Sequence, residues 1–263
     1  MFLILDKREL NDSIMMMEIQ APLIARKAKA GQFIIFRIDE TGERVPLTIA
    51  GWDAVAGSVT IIFQVVGKAT RQLSQMNPGE TILDFVGPLG EPSQLDGYKR
   101  ACVIGGGVGN AIALPSARTL HVNGAHVDVI MGFRNKDIVI LEEEMRAVCT
   151  NLYITTDDGS YGRKGFVTDQ LKELLEGGEK YDLVVAIGPV PMMKFVCDLT
   201  RDYGIKTLVS LNPIMIDGTG MCGGCRVTVG GEKRFACVDG PKFDGHEVDF
   251  NELMLRNALY RTQ

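Results

Sequence analysis

The chain has 263 residues, a formal net charge of −5 and a hydrophobic fraction of 46%. This length exceeds one compact core, so two or three domains are expected, and the acidic balance disfavours a nucleic-acid-binding protein. No apolar run approaches the roughly 20 residues of a membrane span, and the N-terminus lacks the basic and apolar regions of a signal peptide. These features predict a cytoplasmic protein whose cysteines are reduced.

Short apolar segments bounded by Gly, Pro, Asp or Asn follow one another in residues 1–97. Many of them are rich in β-branched residues, and all are short. Several strands at such close spacing predict an antiparallel β-barrel. The predicted strand segments are 13–22, 31–38, 45–52, 57–67 and 80–90.

Apolar strands alternate with helical segments in residues 98–210, which predicts a doubly wound parallel sheet. The first strand runs into a glycine loop, and the last is expected to be the final strand of the sheet. The predicted strands lie within 100–109, 126–133, 151–159, 181–189 and 206–211, and the predicted helices within 110–124, 137–149, 165–178 and 190–204.

The remaining segment, 211–263, is glycine-rich, carries three of the six cysteines and ends in a predicted helix at 250–261. The predicted architecture is therefore a multidomain β plus α/β protein. A β-barrel at 1–97 precedes an α/β domain at 98–210, and a small C-terminal domain at 211–263 follows.

A glycine loop, Gly105, Gly106, Gly107 and Gly109, directly follows a predicted buried strand and precedes a predicted helix. Glycines let a pyrophosphate approach the backbone closely, and the helix N-terminus supplies N–H donors and the positive end of its dipole. A tight strand–helix turn without a ligand would also use glycines. The position on the first strand of the α/β series favours a dinucleotide site.

This loop, followed by Pro115 and preceded by a barrel, resembles the ferredoxin reductase-like flavoenzymes, in which a flavin barrel precedes the nicotinamide domain. The resemblance implies FAD in the barrel. Arg44 would bind its pyrophosphate, a strand end would line the isoalloxazine ring, and a helix start would receive phosphate oxygens. The implied flavin-binding residues are Arg44, Pro46, Leu47, Thr48, Val65, Gly67 and Thr70.

Three later segments fall at the carboxyl ends of predicted strands, where open parallel sheets bind ligands. Among them, Gly188–Pro189 resembles the second nicotinamide motif of the same family. The pair Asp157–Asp158 lies in the loop where that family distinguishes NAD from NADP, and acidic side chains repel a 2′-phosphate. Arg134 and Arg163 are nearby cations that favour NADP instead. On balance, NAD(H) is the predicted cofactor.

Four possible metal ligands, Asp217, Cys222, Cys225 and Cys237, are spaced as Asp-x4-Cys-x2-Cys-x11-Cys. A plant-type [2Fe–2S] loop has Cys-x4-Cys-x2-Cys and a distant fourth cysteine, so aspartate stands here in the first ligand position. Four glycines between Asp217 and Cys225 would let the loop wrap two irons. The alternative is zinc held by one carboxylate and three thiolates, although structural zinc sites use Cys and His.

The other three cysteines, Cys102, Cys149 and Cys197, lie in or near predicted strands and helices and are expected to be core residues. The chain has only three histidines. Because hydride and electron transfer are carried by cofactors, no catalytic side chain is predicted.

The three segments in this order resemble the electron-transfer subunit of dihydroorotate dehydrogenase and its relatives over the whole chain. The stretches 210–231 and 235–250 resemble most the small (alpha) subunits of NADH-dependent reduced ferredoxin:NADP+ oxidoreductases, also described as sulfide dehydrogenases. The dihydroorotate branch typically has a fourth cysteine where this chain has Asp217, which favours the second group.

The resemblance implies a heterodimer. This chain would pass electrons between NAD(H), FAD and a [2Fe–2S] cluster. A larger subunit would hold another FAD, [4Fe–4S] clusters and the NADP(H) site, and the complex would use ferredoxin in flavin-based bifurcation. Two alternatives stay open: the electron-transfer subunit of dihydroorotate dehydrogenase, and a non-enzymatic, metal-stabilised redox sensor or interaction module.

Overall fold

A computed structural model describes residues 1–258 of the chain. These residues form two compact units, and the predicted C-terminal domain, 211–263, contributes to both. The predicted boundaries of three domains stay a prediction. The first unit contains Met1–Ser93, Ile214–Cys225 and Phe235–Pro241, and the second contains Gln94–Pro213, Arg226–Arg234 and the described residues from Lys242 onward.

The first unit is built on seven antiparallel strands. They are β1 (Phe2–Asn11), β2 (Ile14–Gln20), β3 (Phe33–Arg37), β4 (Val45–Asp53), β5 (Ser58–Gln64), β6 (Thr81–Ile82) and β7 (Asp84–Leu89). Their order in the sheet is β6–β1–β2–β5–β4–β3–β7. Only Leu83 separates the two edge strands in the chain, so the sheet curls into a nearly closed barrel, which confirms the predicted fold.

Alternate side chains fill the barrel, as the period of two in a strand requires. Met17 and Ile19 of β2 and Ile61 of β5 are fully buried there. Strand β1 was missed in the sequence because its residues are mostly polar or exposed and only Ile4 is fully buried. Two short helices complete the unit, α1 (Pro22–Ala25) and α2 (Lys68–Gln75).

The strands of the second unit are β8 (Arg100–Gly106), β9 (His126–Phe133), β10 (Asn151–Thr156), β11 (Arg163–Lys164), β12 (Leu183–Ile187), β13 (Thr207–Ser210), β14 (Arg226–Val229), β15 (Glu232–Phe235) and β16 (Lys242–Asp244). One sheet has the order β11–β10–β9–β8–β12–β13–β16, and its strands are parallel except for the last. A separate hairpin, β14–β15, turns through Gly230 and Gly231, both with positive φ.

The doubly wound parallel sheet is confirmed, but β13 is not its final strand. Strand β16 pairs antiparallel with it from the C-terminal segment. Three residues with a single buried side chain, Phe243, give too short a pattern to predict a strand.

The helices of the second unit follow the predicted alternation. The predicted helix at 250–261 is observed as far as Ala258, and residues 259–261 lie outside the described part of the chain. No helix within residues 1–258 is long and apolar enough to cross a membrane. The helices are α3 (Gly109–Val122), α4 (Glu142–Arg146), α5 (Val167–Glu176), α6 (Val190–Asp202) and α7 (Phe250–Ala258), with a 3₁₀ turn at Lys136–Ile138.

The direction of the strand order reverses between β8 and β12. From β8 the chain proceeds to β9, β10 and β11 on one side, and then to β12 and β13 on the other. Ligands of open parallel sheets bind at the carboxyl ends of the strands at such a switch point. This places a candidate site at the end of β8 and the end of β12.

Candidate functional site

The two predicted nucleotide motifs meet at this switch point. A Cβ atom added to Gly109 would lie 2.4 Å from the carbonyl oxygen of Ile187 and 2.9 Å from Cα of Gly188. The two loops therefore touch through their backbones, which leaves no room for a side chain at Gly109. The structure thus brings the predicted 105–109 loop and the Gly188–Pro189 segment together.

The glycine loop is a tight turn that leads into α3. Gly107 has φ +55°, and its N–H donates to the carbonyl oxygen of Gly132 at 2.9 Å. The side-chain amide of Asn110, which is fully buried, donates to the carbonyl of Gly107 at 2.9 Å. The sequence does not predict this hydrogen bond. Its only signal is an amide residue directly after a glycine turn, and whether that residue is buried cannot be read from the sequence.

Met192 covers the backbone at the switch point. Its Sδ lies 2.6 Å from where a Cβ of Gly106 would be, and its Cε lies 2.9 Å from where a Cβ of Gly188 would be. Met192 is partly exposed, whereas Met193 is fully buried in the core. The sequence does not distinguish the two methionines, because the direction of each depends on how α6 packs.

The loop after β10 contains the residues predicted to choose between NAD and NADP. The hydroxyl and then the N–H of Ser160 hold the pKa of Asp158 below its usual value. Asp157 is exposed, and Arg134 is exposed at the end of β9. Arg163 forms an ion pair with Glu173 at 2.9 Å, so its charge is already partly neutralised. This arrangement favours NAD(H), and the individual roles of these residues stay predictions.

The predicted flavin strand, β4, presents two different faces. Leu47, like Val65, packs against the barrel core, whereas Pro46 and Thr48 alternate to the other face and are half-exposed. The outward face is therefore the one that a flavin ring can reach. Leu47 stays a predicted flavin contact, and its side chain lies on the inner face of β4, against the barrel core.

Thr70 fixes the start of α2 rather than pointing outward. Its hydroxyl oxygen accepts from the N–H groups of Val66 at 3.1 Å and Gly67 at 3.0 Å. A Cβ added to Gly67 would meet nothing within 4 Å, so the helix start is open. The backbone N–H groups of α2, with Thr70 as their brace, can receive a phosphate.

Two of the predicted metal ligands lie side by side in the first unit. The Sγ atoms of Cys225 and Cys237 are 3.2 Å apart, and both side chains are buried. Thiolates on one tetrahedral metal with bonds of about 2.3 Å would lie about 3.8 Å apart, so a modest adjustment accommodates an ion. Burial, and then the Cys225 thiol, raises the pKa of Cys237 to about 12. A bound cation would take the place of that proton.

The other two predicted ligands form a second pair. Asp217 Oδ2 accepts from the N–H of Cys222 at 2.9 Å, and Oδ1 accepts from the N–H of Thr219 at 3.1 Å. The N–H of Thr219 first, and that of Cys222 next, hold the pKa of Asp217 below its usual value. The carboxylate is therefore ionised and turned towards its own loop.

The arrangement of the four predicted ligands as two pairs fits a binuclear cluster better than a single zinc ion. Within residues 1–258, no three His, Cys, Asp or Glu side chains converge on one point. A zinc site needs four ligands around one ion, whereas a [2Fe–2S] cluster spreads four ligands over two irons. N–H groups also point at sulfur, from Gly224 to Cys222 and from Cys237 to Cys225, both at 3.4 Å. The four-ligand set stays a prediction.

The remaining cysteines are free thiols. Cys102 and Cys197 are buried as predicted, and burial raises the pKa of Cys197 to about 12. Cys149 is half-exposed instead, because α4 ends at Arg146 and leaves it in the following turn.

Two protein-family models match parts of the chain. The iron–sulfur cluster binding domain of dihydroorotate dehydrogenase B matches residues 212–249, and an oxidoreductase NAD-binding domain matches residues 103–198. A dihydroorotate dehydrogenase B (NAD(+)) electron transfer subunit homolog from Thermotoga maritima is 46% identical over 93% of this chain and 86% of its own length.

Two further proteins are similar over nearly the whole chain. The electron transfer subunit of dihydroorotate dehydrogenase B (NAD(+)) from Bacillus pumilus is 34% identical over 93% of this chain and 96% of its own length. A solved structure of an NADH-dependent reduced ferredoxin-NADP oxidoreductase is 44% identical, with a TM-score of 0.94 over 98% of this chain and 93% of that chain. The chain therefore belongs to the family of dihydroorotate dehydrogenase B electron transfer subunits and their homologues, and it is an oxidoreductase subunit whose cofactors are FAD, a [2Fe–2S] cluster and NAD(H).

Proposed function

We propose that this chain is the small, NAD(H)-binding subunit of a flavin-based bifurcating NADH-dependent reduced ferredoxin:NADP+ oxidoreductase. The observation that carries the proposal is the likeness to a structure of that enzyme, 44% identical over 98% of this chain. The dihydroorotate dehydrogenase subunit from Bacillus pumilus is 34% identical, and the 46% identical Thermotoga maritima protein is described only as a homolog of such a subunit. Asp217 in the first ligand position supports the same choice.

The side chains of this protein have positioning roles in that function. Bound FAD supplies the chemistry that links two-electron hydride transfer to one-electron carriers. The glycine loop and Gly188 let the nicotinamide nucleotide approach the backbone. The outward face of β4 and the open start of α2 hold the flavin, and the loop at Asp217 holds the cluster.

Exposed apolar side chains around the cluster loop support a protein partner. Met221 is 89% exposed and Ile216 54% exposed, and Ile214 and Val238 are also exposed. A Cβ added to Gly220 would lie 2.8 Å from Val238, so this side chain lies directly on the loop. Exposed apolar surface of this kind marks interaction sites. The partner proposed is a larger subunit with a second FAD, [4Fe–4S] clusters and the NADP(H) site, through which ferredoxin reacts.

We expect the purified chain to show flavin and [2Fe–2S] absorbance that NADH bleaches, and its complex with the partner to reduce NADP+. Reduction of NADP+ should require NADH and reduced ferredoxin together, because a bifurcating flavin must receive electrons from both donors. Visible spectroscopy measures the bleaching by NADH, and NADPH formation measures the reduction of NADP+. Oxidation of dihydroorotate by the purified complex would instead assign the dihydroorotate branch, and a colourless protein would assign the non-enzymatic module.

We expect NAD+ to protect Met192 from oxidation by hydrogen peroxide several-fold, because its thioether covers the backbone that the nucleotide must approach. Peptide mass spectrometry would measure sulfoxide formation. Met193, fully buried, and Met221, largely exposed, are internal references whose rates should not change. Equal Met192 oxidation with and without bound NAD+ would place the nucleotide elsewhere.

A further inference from the structure

Arg44 connects the two cofactor motifs of the first unit. It directly precedes β4, and its Nε donates to the carbonyl oxygen of Ile216 at 3.2 Å. Its Nη2 donates to the carbonyl oxygen of Asp217 at 3.4 Å. The predicted flavin anchor therefore contacts the backbone of a predicted cluster ligand that lies 173 residues away in the chain.

The cluster loop is held against the barrel at the next residue as well. Gly218 has φ +76°, and a Cβ added there would lie 2.5 Å from Cδ1 of Ile35 and 2.9 Å from Cδ1 of Leu89. The loop backbone thus rests on side chains of β3 and β7. The loop is therefore held at Ile216 and Asp217 by Arg44 and at Gly218 by this apolar contact.

The guanidinium has enough donors to serve two groups at once. It carries five N–H groups in a rigid plane, and the contacts with the loop use one on Nε and one on Nη2. The others match the oxygens of a diphosphate, which guanidinium groups bind in a bidentate manner. Both loop contacts are to neutral carbonyl groups, so the positive charge is not neutralised by them.

We propose that Arg44 is a positioning residue shared by two cofactors, which binds the flavin pyrophosphate and at the same time holds the cluster loop at Ile216 and Asp217. This inference rests on the proposed placement of FAD in the barrel. A group that contacts both sites makes their occupancies interdependent, because loss of either contact frees the other to move. Flavin loss then loosens the cluster loop, and disruption of the loop weakens flavin binding.

The test compares Arg44→Lys with Arg37→Lys in the full complex. Arg37 of β3 forms an ion pair with Asp84 at 2.6 Å, which lysine can retain, so this variant controls for an Arg-to-Lys change on the same barrel. A lysine at 44 keeps the charge but lacks the planar set of donors, so it cannot satisfy both groups. Thermal unfolding followed by circular dichroism shows whether each variant is folded. If Arg44→Lys does not fold, Arg44→Gln takes its place.

Three quantities are measured for the sites of this chain: its flavin affinity, the rate at which its [2Fe–2S] cluster loses iron to a chelator, followed by the decay of that cluster's own EPR signal, and the EPR spectrum of that cluster when reduced. We expect Arg44→Lys to weaken flavin affinity about tenfold and to accelerate iron loss about tenfold, with an altered EPR line shape, and Arg37→Lys to change none of them. Removal of FAD from the wild-type protein should also accelerate iron loss.

Two results would overturn the shared role. Weaker flavin binding with unchanged iron loss and EPR spectrum would make Arg44 a flavin ligand alone. Unchanged flavin binding with faster iron loss and an altered EPR spectrum would mean that Arg44 only holds the loop. Wild-type protein that binds no flavin would contradict the proposed function itself, so the two failures are distinguishable.

Discussion

Replacing Cys237 by alanine is expected to remove the iron–sulfur cluster from the chain. Its Sγ lies 3.2 Å from that of Cys225, and its side chain is 2% exposed, so water does not readily replace the lost ligand. Iron and acid-labile sulfide should each fall by about two per complex, because the clusters of the proposed partner stay. Iron analysis and EPR spectroscopy of the purified complex would measure the change.

The matched control for this variant is Cys149→Ala. Cys149 is a free, half-exposed thiol outside the predicted ligand set, and its removal should leave iron content and the EPR signal unchanged. Full iron content in Cys237→Ala would show that another residue is the fourth ligand. Loss of iron in Cys149→Ala would show that the assignment of core and ligand cysteines is wrong.

Replacing Gly109 by alanine is expected to abolish tight NAD(H) binding. The new Cβ would lie 2.4 Å from the carbonyl oxygen of Ile187, a backbone atom that cannot rotate away, so the ends of β8 and β12 must separate. Such overpacking costs about 1–3 kcal/mol of unfolding free energy, and it displaces both nucleotide loops. We expect NAD+ affinity to fall at least tenfold, measured by equilibrium dialysis, and denaturant unfolding to report the lost stability.

Gly124→Ala serves as the comparison. Gly124 has φ +83°, and an added Cβ would meet nothing within 4 Å, so alanine there introduces backbone strain without a steric clash. It should lower stability by about 1 kcal/mol and leave NAD+ affinity unchanged. Wild-type affinity in Gly109→Ala would mean that the contact between the two loops is not required for binding.

Most of the fold could be predicted because each strand or helix has its own local pattern. The alternation of buried strands and helices between 98 and 210 directly predicted the parallel sheet, and glycine and proline residues marked the turns of the barrel. The strands outside the predicted segments are β1, β11, β14, β15 and β16, and none of them has more than two buried side chains. Their strand structure depends on pairing with neighbouring strands rather than on a strong local pattern.

The candidate site was predictable in its residue types but not in its grouping. Spacing alone identified Asp217 and the three following cysteines as possible ligands. The split into an Asp217–Cys222 pair and a Cys225–Cys237 pair comes from the folded loop. The roles of Met192 and Asn110 depend on which way a side chain points from its helix, and that direction is set by packing.

The order of the barrel, the nucleotide-binding sheet and the cluster segment follows from the sequence, because it depends on local periodicity and on ligand spacing. The folded chain shows in addition that the cluster segment is divided between the two units, with Asp217 and its three cysteines in the unit of the barrel. It also shows that Arg44 reaches the backbone of Asp217. Contacts between residues far apart in the chain arise from how strands and loops pack, and a linear pattern does not contain that information.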